Sequence, residues 1–346
     1  MGRRLSKSFH PAYHLRPNKA VDRFLFMELL KALDARCSLR SHTYIGLGGP
    51  YLEDFRLFAH DFPAMHLISI EKDHQTHLRQ KFHQCSANMD FFPGTMGEFL
   101  QDRFPSATPV VVWADYTDVS RECMSELSDI VRQAVPSSVL RITVRAETPV
   151  PEQLRIADNF RYPPQVPRGK KSGFEKIRDQ YQRGMAIEGI VFPGKWFDWN
   201  EFSVDQFPAM LDRMIRHVAE GSCVPPKAFL PLHSVKYSDG TIMLSVTGII
   251  CMEEEKADLV QHFRDRTPTC GGTPDSLETI DVPALTARER LHLERLLPTE
   301  RPDGAVSMKG LSYLIEGDES EVESMAKMAQ YERYHGLYPL FGRVVP

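Results

Sequence analysis

The sequence predicts an α/β fold, a doubly wound and mostly parallel sheet that ends in an antiparallel β-hairpin. Five β-prone runs alternate with helical patterns before residue 145, which is the arrangement of a parallel sheet covered by helices. A glycine-rich turn follows the first run, as in nucleotide-binding βαβ units. Further along, an Asp239-Gly240 turn separates two apolar, β-branched runs, which is a strong hairpin signal.

The individual elements follow from the spacing of apolar residues. A strand is predicted at 109–116, where a continuous apolar run ends in an acid, as is typical of a strand buried on both faces. The other strands are predicted at 42–45, 65–70, 89–92, 138–144, 228–237 and 241–251. Helices are predicted at 21–33, 52–62, 74–84, 97–104, 125–134 and 204–220.

We expect residues 1–255 to form the sheet domain and residues 256–346 to form a helical C-terminal extension. Prolines interrupt the β/α alternation in residues 146–203, which are predicted to be an insertion after the fifth strand. In the extension, Thr286 and Glu289 form a capping box before a helix at 287–297, and a second helix is predicted to run to about residue 334. The aromatic residues of 331–345 are expected to dock on a core or to contact a protein partner.

Composition excludes several classes of protein. The net charge of -4 argues against a protein that coats nucleic acid, and no apolar run of about 20 residues predicts a membrane span. The six cysteines are scattered without a Cys-x-x-Cys pair, so we expect reduced thiols in a cytoplasmic protein. His74, His77 and His83 share one predicted helix without an added cysteine or a compact set of acids. They are therefore predicted to be surface histidines, and no metal is expected.

The glycine turn and the end of the second strand are candidate binding positions. Gly46, Gly48 and Gly49 would let the backbone turn sharply and approach a ligand closely. Glu71 ends the second strand, where a carboxylate can accept both hydroxyls of a ribose. Asp73 is predicted to cap the helix that follows.

Basic residues gather near the start of the first helix, at Arg16, Lys19 and Arg23. They form either a solvated helix end or an anion or cofactor contact at the mouth of the sheet. At the end of the fourth strand, Asp115 either orients or deprotonates an acceptor or serves as a helix cap or ion-pair partner. Tyr116 packs either on a substrate or on the next loop.

The order of elements resembles that of class I S-adenosylmethionine-dependent methyltransferases, in which a terminal hairpin supplies an antiparallel seventh strand. Several segments resemble more closely a bacterial group of putative O-methyltransferases. These are Arg-Pro-Asn-Lys at 16–19, Tyr-Ile-Gly-Leu-Gly-Gly at 44–49, Glu-Asp-Phe at 53–55, Ser-Ile-Glu at 69–71 and Trp-Ala-Asp-Tyr at 113–116.

The resemblance implies roles for individual residues. Gly46, Gly48 and Gly49 would lie under the methionine part of S-adenosylmethionine, and Glu71 would hold its ribose. The turn at Gly94-Thr95-Met96 would lie beside the adenine. Asp115 and Tyr116 would meet the substrate and the transferred methyl, and Lys19 is a further candidate cofactor contact.

The sequence also departs from the methyltransferase pattern. Tyr44 stands where the first motif usually has an acid, and Pro50 stands at its third glycine. The Asp-Pro-Pro-Tyr motif used on the amino groups of bases is missing, as is the Asp-Asn pair of metal-dependent catechol-type enzymes.

The sequence is therefore consistent with two functions. The first is a methyltransferase that acts on an oxygen or nitrogen acceptor. The second is a catalytically inactive nucleotide- or protein-binding module that serves as a regulatory subunit. The basic residues of 155–183 are either a grip for a phosphate-bearing or nucleic-acid substrate or a mobile, solvated lid.

Overall fold

The computed structural model describes residues 16–149, 173–185, 190, 202–266, 276–297, 311, 313–315 and 318–339. Within these residues, eight strands form one sheet in the order β3-β2-β1-β4-β5-β7-β6-β8. The strands are β1 (Thr43–Gly46), β2 (His66–Ile70), β3 (Met89–Phe92), β4 (Val110–Asp115), β5 (Val139–Arg145), β6 (Lys227–Ser238), β7 (Ile242–Met252) and β8 (Leu277–Ile280). Strands β1 to β5 are parallel, whereas β7 lies antiparallel between β5 and β6.

Helices cover both faces of the sheet. The described helices are α1 (Pro17–Asp34), α2 (Glu53–Asp61), α3 (His74–Phe82), α4 (Met96–Asp102), α5 (Arg121–Gln133), α6 (Gly173–Gly184), α7 (Phe207–Ser222), α8 (Lys256–Arg266), α9 (Ala287–Glu294) and α10 (Glu321–Tyr334). No described helix combines the length and apolar character needed to cross a membrane. The predicted fold class is confirmed, and the first seven strands begin and end within one residue of their predicted limits.

The surroundings of strand β4 explain why its sequence is apolar throughout. Val110, Val112 and Ala114 lie in the core formed with α4, α5 and α7. Val111 and Trp113 lie in the opposite core, formed with α1, α2 and α8. Successive side chains of a strand point to opposite faces, so a central strand between two helical layers needs apolar residues at every position.

The C-terminal extension adds a strand as well as helices. Strand β8 pairs in parallel with β6 and was not predicted, because its four residues are too few to show a periodic pattern. Tyr331, Tyr334 and Tyr338 are buried in a third core that also contains Val21 of α1 and Val235 of β6. Docking of the aromatic segment on a core is therefore confirmed for these three tyrosines, and its contact with a protein partner stays a prediction.

The first turn of α1 is held by the hairpin. The helix begins at Pro17, ahead of its apolar run at 21–33, because proline is suited to the first helical position, where a missing N–H leaves no hydrogen bond unmade. The carboxylate of Asp239, in the hairpin turn, accepts the N–H groups of Asn18 at 3.3 Å and Lys19 at 2.8 Å. The Asn18 side-chain oxygen accepts the N–H of Val282 at 2.8 Å. Asp239 thus caps α1 from 220 residues away, and Asn18 joins the helix to the extension.

A buried ion pair fixes α1 on the sheet. Asp22 of α1 pairs with Arg141 of β5, and their side chains are 0% and 1% exposed. The Arg141 guanidinium donates to Thr247 Oγ1 at 2.8 Å. It also lies 4.8 Å from the ring centroid of Phe26 and 4.9 Å from that of Trp113. These hydrogen bonds and cation–π contacts replace part of the hydration that the two charges lose.

The substitution Asp22→Ala is expected to lower the free energy of unfolding by about 3–5 kcal/mol, because it leaves the Arg141 charge buried without its partner. Urea unfolding followed by circular dichroism measures the change. The control Asp129→Ala removes a carboxylate whose ion pair with Arg132, at 4.0 Å, is about half exposed. Its effect should stay below about 0.5 kcal/mol. Equal effects of the two variants would contradict the role assigned to the buried pair.

Candidate active site

The carboxyl ends of β1, β2 and β4 meet the first turns of α1 at one edge of the sheet. The chain passes from β1 to β2 on one side and returns to β4 on the other, so β1 and β4 flank the switch point of the sheet. Doubly wound proteins bind ligands in the crevice at this point. The structure brings Gly46, Gly48, Glu71, Lys19 and Asp115 to this edge. Their roles toward a cofactor or substrate stay predictions.

The turn after β1 is packed tightly on its inner side and open on its outer side. A Cβ atom at Gly48 would lie 2.7 Å from Ser69 Oγ, 2.9 Å from Leu52 Cδ2 and 2.9 Å from Phe55 Cε2. A Cβ atom at Gly49 would meet nothing within 4 Å. Leu52 ends the turn in the left-handed region, at φ 55°, which is unusual for a leucine. The turn therefore requires glycine at position 48 and offers exposed backbone at position 49.

Gln80 of α3 is hydrogen-bonded to the backbone of this turn. Its amide nitrogen donates to the carbonyl oxygen of Gly48 and, at 3.4 Å, to that of Gly49. Its amide oxygen accepts the Ser69 hydroxyl at 3.0 Å. Because Gln80 is fully buried, its hydrogen bonds fix the glycine turn without competition from water.

Tyr44 occupies the position at which the methyltransferase resemblance leads one to expect an acid. Its ring stacks on Phe58 with centroids 3.7 Å apart and meets the ring of Phe55 edge-on. Its hydroxyl lies 2.7 Å from where a Cβ atom at Gly46 would be. Burial raises the pKa of this hydroxyl well above its usual value. Tyr44 therefore belongs to the core and supplies no carboxylate. Pro50 is buried as well.

Glu71 lies half-buried just beyond β2. Burial raises the pKa of its carboxyl group, against the lowering effect of the hydrogen bond that Oε1 accepts from the Asp73 N–H at 2.7 Å. Asp73 accepts the Thr76 N–H at 2.8 Å and caps α3, which confirms its predicted role. The Thr76 hydrogen bonds lower the pKa of Asp73. Glu71 thus offers an acceptor at the strand end, and its contact with a ribose stays a prediction.

Asp115 forms an ion pair with Lys19 across the switch point. The Lys19 Nζ lies 3.0 Å from Asp115 Oδ2, and the Lys19 side chain is 10% exposed. The prediction that Lys19 lies at a solvated helix end is therefore wrong, because the sheet edge buries the first turns of α1. Of the alternative roles predicted for Asp115, the structure shows that of an ion-pair partner. A contact of Lys19 with a cofactor and of Asp115 with an acceptor both stay predictions.

Arg23 joins α1 to the first turn of α2. Its Nε lies 2.5 Å from Asp54 Oδ1, and an Nη atom lies 3.2 Å from Glu53 Oε2. Burial acts to lower the pKa of Arg23, but the carboxylates of Asp54 and Glu53 outweigh it and raise the pKa. The prediction of a solvated helix end is wrong for Arg23 too, because its side chain is 9% exposed.

Tyr116 turns toward α5. Its hydroxyl donates to Glu126 Oε2 at 2.5 Å, and its backbone N–H donates to the Thr143 carbonyl at 2.8 Å. Burial raises the pKa of both the Tyr116 hydroxyl and the Glu126 carboxyl group. Tyr116 therefore packs on the element that follows it, and a contact with substrate stays a prediction.

The side chains of Thr95 and Met96 are both engaged within the chain. Thr95 Oγ1 accepts the Glu98 N–H at 3.2 Å, while Glu98 Oε2 accepts the Thr95 N–H at 2.7 Å, so the two form a capping box for α4. Met96 lies in the core. A position of this turn beside an adenine stays a prediction.

Helix α6 is the part of the basic insertion that the structure describes at length. It carries Lys176, Arg178 and Arg183, and Arg178 pairs with Asp179 at 3.1 Å. Residues 155–172, which hold the other basic side chains, lie outside the described residues. The grip on a phosphate-bearing or nucleic-acid substrate stays a prediction.

The described ranges of the chain contain no group of three or more His, Cys, Asp or Glu side chains that could hold a metal ion. His77 is buried against Phe91 of β3, with ring centroids 6.2 Å apart, so its prediction as a surface histidine is wrong. The cause is the packing of α3 on the sheet, which turns this face of the helix inward.

Sequence reasoning missed several residues of this edge. Glu53 and Asp54 could have been predicted from the sequence. Two acids in the first turn of a helix that directly follows a glycine turn lie beside the ligand crevice. Gln80 carried no such signal, since it reaches the glycine turn from α3, 32 residues beyond Gly48 in the sequence.

The residues at the edge fit S-adenosylmethionine. The backbone at Gly49 is exposed and would tolerate close approach, and Glu71 presents a carboxylate at the end of the neighbouring strand. These are the positions that the methyltransferase resemblance assigns to the methionine and ribose parts of the cofactor. The usual acid that would contact the methionine end of the cofactor is missing, because Tyr44 stands at its position.

The substitution Gly48→Ala is expected to lower the free energy of unfolding by about 1–3 kcal/mol, because the added methyl overlaps three neighbours. Gly49→Ala is the matched control, with an expected change below about 0.5 kcal/mol, since the site is open. Urea unfolding of both variants measures the difference. A Gly48→Ala protein as stable as Gly49→Ala would contradict the tight packing.

Solved structures resemble the chain at low sequence identity. An O-methyltransferase family protein from Burkholderia thailandensis is 12% identical, with a TM-score of 0.34 over 68% of this chain and 57% of that one. Trm1 from Pyrococcus horikoshii, solved with S-adenosyl-L-methionine, is 11% identical, with a TM-score of 0.43 over 70% and 57%. TYW2 from P. horikoshii, solved with MeSAdo, is 12% identical, with a TM-score of 0.32 over 65% and 62%. The chain thus spans less than two thirds of the length of each.

No curated protein matches the sequence. The strand order, with β1 to β5 parallel and β7 antiparallel between β5 and β6, is the one expected from the resemblance to class I methyltransferases. One family model covers nearly the whole chain, over residues 11–346. The chain belongs to the family described as "Putative O-methyltransferase".

Proposed function

We propose that the protein transfers a methyl group from S-adenosylmethionine to an oxygen nucleophile, and that Asp115 and Lys19 orient this acceptor. The observation that carries the proposal is their ion pair of 3.0 Å at the carboxyl end of β4. This position borders the switch point of the sheet, where ligands of doubly wound folds bind. Both side chains are mostly buried, so their charges act in a medium that screens them less than water does.

The cofactor supplies a methyl group on a positively charged sulfonium. The protein then has to align a nucleophile with that methyl and, where needed, take up a proton. The Asp115 carboxylate can accept a hydrogen bond or a proton from a hydroxyl. The Lys19 ammonium can donate to the same oxygen and stabilise negative charge on it.

The presence of Lys19 favours oxygen over nitrogen as the acceptor. Methylation of an oxyanion removes a negative charge, and a neighbouring ammonium stabilises that anion before transfer. Methylation of an amine creates a positive charge, which the same ammonium would repel. The family to which the chain belongs supports the same choice.

The substitution Glu71→Ala is expected to weaken binding of S-adenosylhomocysteine by roughly tenfold to a hundredfold, through loss of charge-assisted hydrogen bonds to the ribose. Isothermal titration calorimetry measures the affinity. Asp90→Ala is a suitable control, because it removes a largely exposed carboxylate of the neighbouring strand β3. Wild-type protein that is folded and does not bind at millimolar ligand would overturn the proposed function and favour a binding module without catalysis.

Asp115→Asn separates binding from turnover. It keeps the shape of the side chain but removes its charge, so the affinity for S-adenosylhomocysteine should stay within about threefold of the wild-type value. Methyl transfer should fall by roughly 10²–10⁴-fold, the range typical of a lost general base. Release of S-adenosylhomocysteine in the presence of phenols, hydroxy acids and carboxylic acids measures transfer. Unchanged transfer by Asp115→Asn would remove this residue from the reaction.

A further inference from the structure

Arg23, Glu53 and Asp54 form a mixed-charge cluster beside the glycine turn. The cation lies behind, with its side chain 9% exposed, whereas the side chains of Asp54 and Glu53 are 15% and 30% exposed. Asp54 meets Arg23 through Oδ1 and Glu53 does so through Oε2. The two acids thus present a negative outer surface that is backed by a buried positive charge.

The position of the cluster follows from the chain path. Glu53 and Asp54 begin α2 directly after the turn that contains Gly48 and Gly49. Leu52, which links the turn to the helix, has its backbone in the left-handed region and its side chain fully buried. The first turn of α2 is therefore held in place beside the exposed backbone of Gly49.

A buried hydroxyl near the cluster lacks a partner. Tyr237 of β6 is 2% exposed, and its hydroxyl forms no hydrogen bond with any other described residue. The charges that act on this hydroxyl are those of Asp22, Asp115, Arg141 and Arg23. Native proteins rarely leave a buried hydroxyl unsatisfied, because desolvation without a hydrogen bond costs free energy. A polar group of a ligand could provide the missing partner.

The chemistry of the cluster matches a zwitterion. An α-amino acid carries an ammonium and a carboxylate on one carbon, so a site for it needs both acceptors and a cationic donor. Glu53 and Asp54 supply carboxylate oxygens for an ammonium, and the charge of Arg23 behind them attracts a carboxylate. Tyr44, which stands where the methyltransferase resemblance leads one to expect an acid, is buried in the core and cannot take this role.

We propose that Arg23, Glu53 and Asp54 form the subsite for the α-amino-acid end of S-adenosylmethionine, and that Asp54 with Glu53 replaces the acid missing at Tyr44. This inference rests on the proposed function. The acid is supplied by the first turn of α2 rather than by the end of β1. Arg23, from α1, keeps the two carboxylates together and neutralises them when no ligand is present.

The test compares two nucleoside ligands by isothermal titration calorimetry. S-adenosylhomocysteine carries the amino-acid end, whereas 5′-methylthioadenosine lacks it. Asp54→Asn should weaken binding of S-adenosylhomocysteine by roughly tenfold or more, because one charge-assisted hydrogen bond is lost. Binding of 5′-methylthioadenosine should change by less than about twofold. Glu53→Gln should act in the same direction and, being more exposed, is suited to preserve the fold.

The outcomes separate this inference from the proposed function. If wild-type protein binds S-adenosylhomocysteine and both variants bind it equally well, the subsite is overturned and the proposed function stands. An equal loss for the two ligands also overturns the subsite, since the acids would then act only on the shape of the crevice. If folded wild-type protein binds neither ligand, the proposed function fails and the subsite with it. Thermal unfolding of each variant checks that the fold is kept.

Discussion

The buried ion pair between Asp22 and Arg141 is the constraint on which the rest of the site depends. Taking two charges out of water is costly, and the cost is offset only when geometry and surroundings are favourable. Here Ser245 donates to Asp22 at 3.1 Å, Thr247 accepts from Arg141, and two aromatic rings flank the guanidinium. An ion pair with so many fixed partners allows α1 one position on the sheet.

That position determines where the neighbouring charges of α1 lie. Lys19 and Arg23 come from the turn of the helix that contains Asp22, so they extend over the same edge of the sheet. One reaches Asp115 at the end of β4, and the other reaches the start of α2. The capping of α1 by Asp239 and the hydrogen bond from Val282 to Asn18 fix the helix at its beginning. The hairpin and the extension therefore both support the candidate active site.

The site also illustrates how a motif can change without loss of its chemistry. An aromatic ring at position 44 strengthens the contact of β1 with α2 by stacking on Phe58. In the proposed subsite, the acid that β1 does not supply comes from Asp54, in the first turn of α2 directly after the glycine turn. Packing of Tyr44 on α2 thus stabilises the fold, while the charge needed near a ligand can come from a different element.

The sequence by itself determined the first seven strands and the order in which strands and helices alternate among them. Continuous apolar runs and the Asp-Gly turn predicted seven strands, because a strand buried on both faces of the sheet needs apolar residues at successive positions. Glu71 and Asp115 were found because they end such runs. Only the tertiary structure decided which charges meet. Lys19 and Asp115 are separated by 96 residues, and Asp22 lies on a helix whose pattern gives no sign of Arg141. Pairing across such distances depends on how helices settle on the sheet, and no local pattern records it.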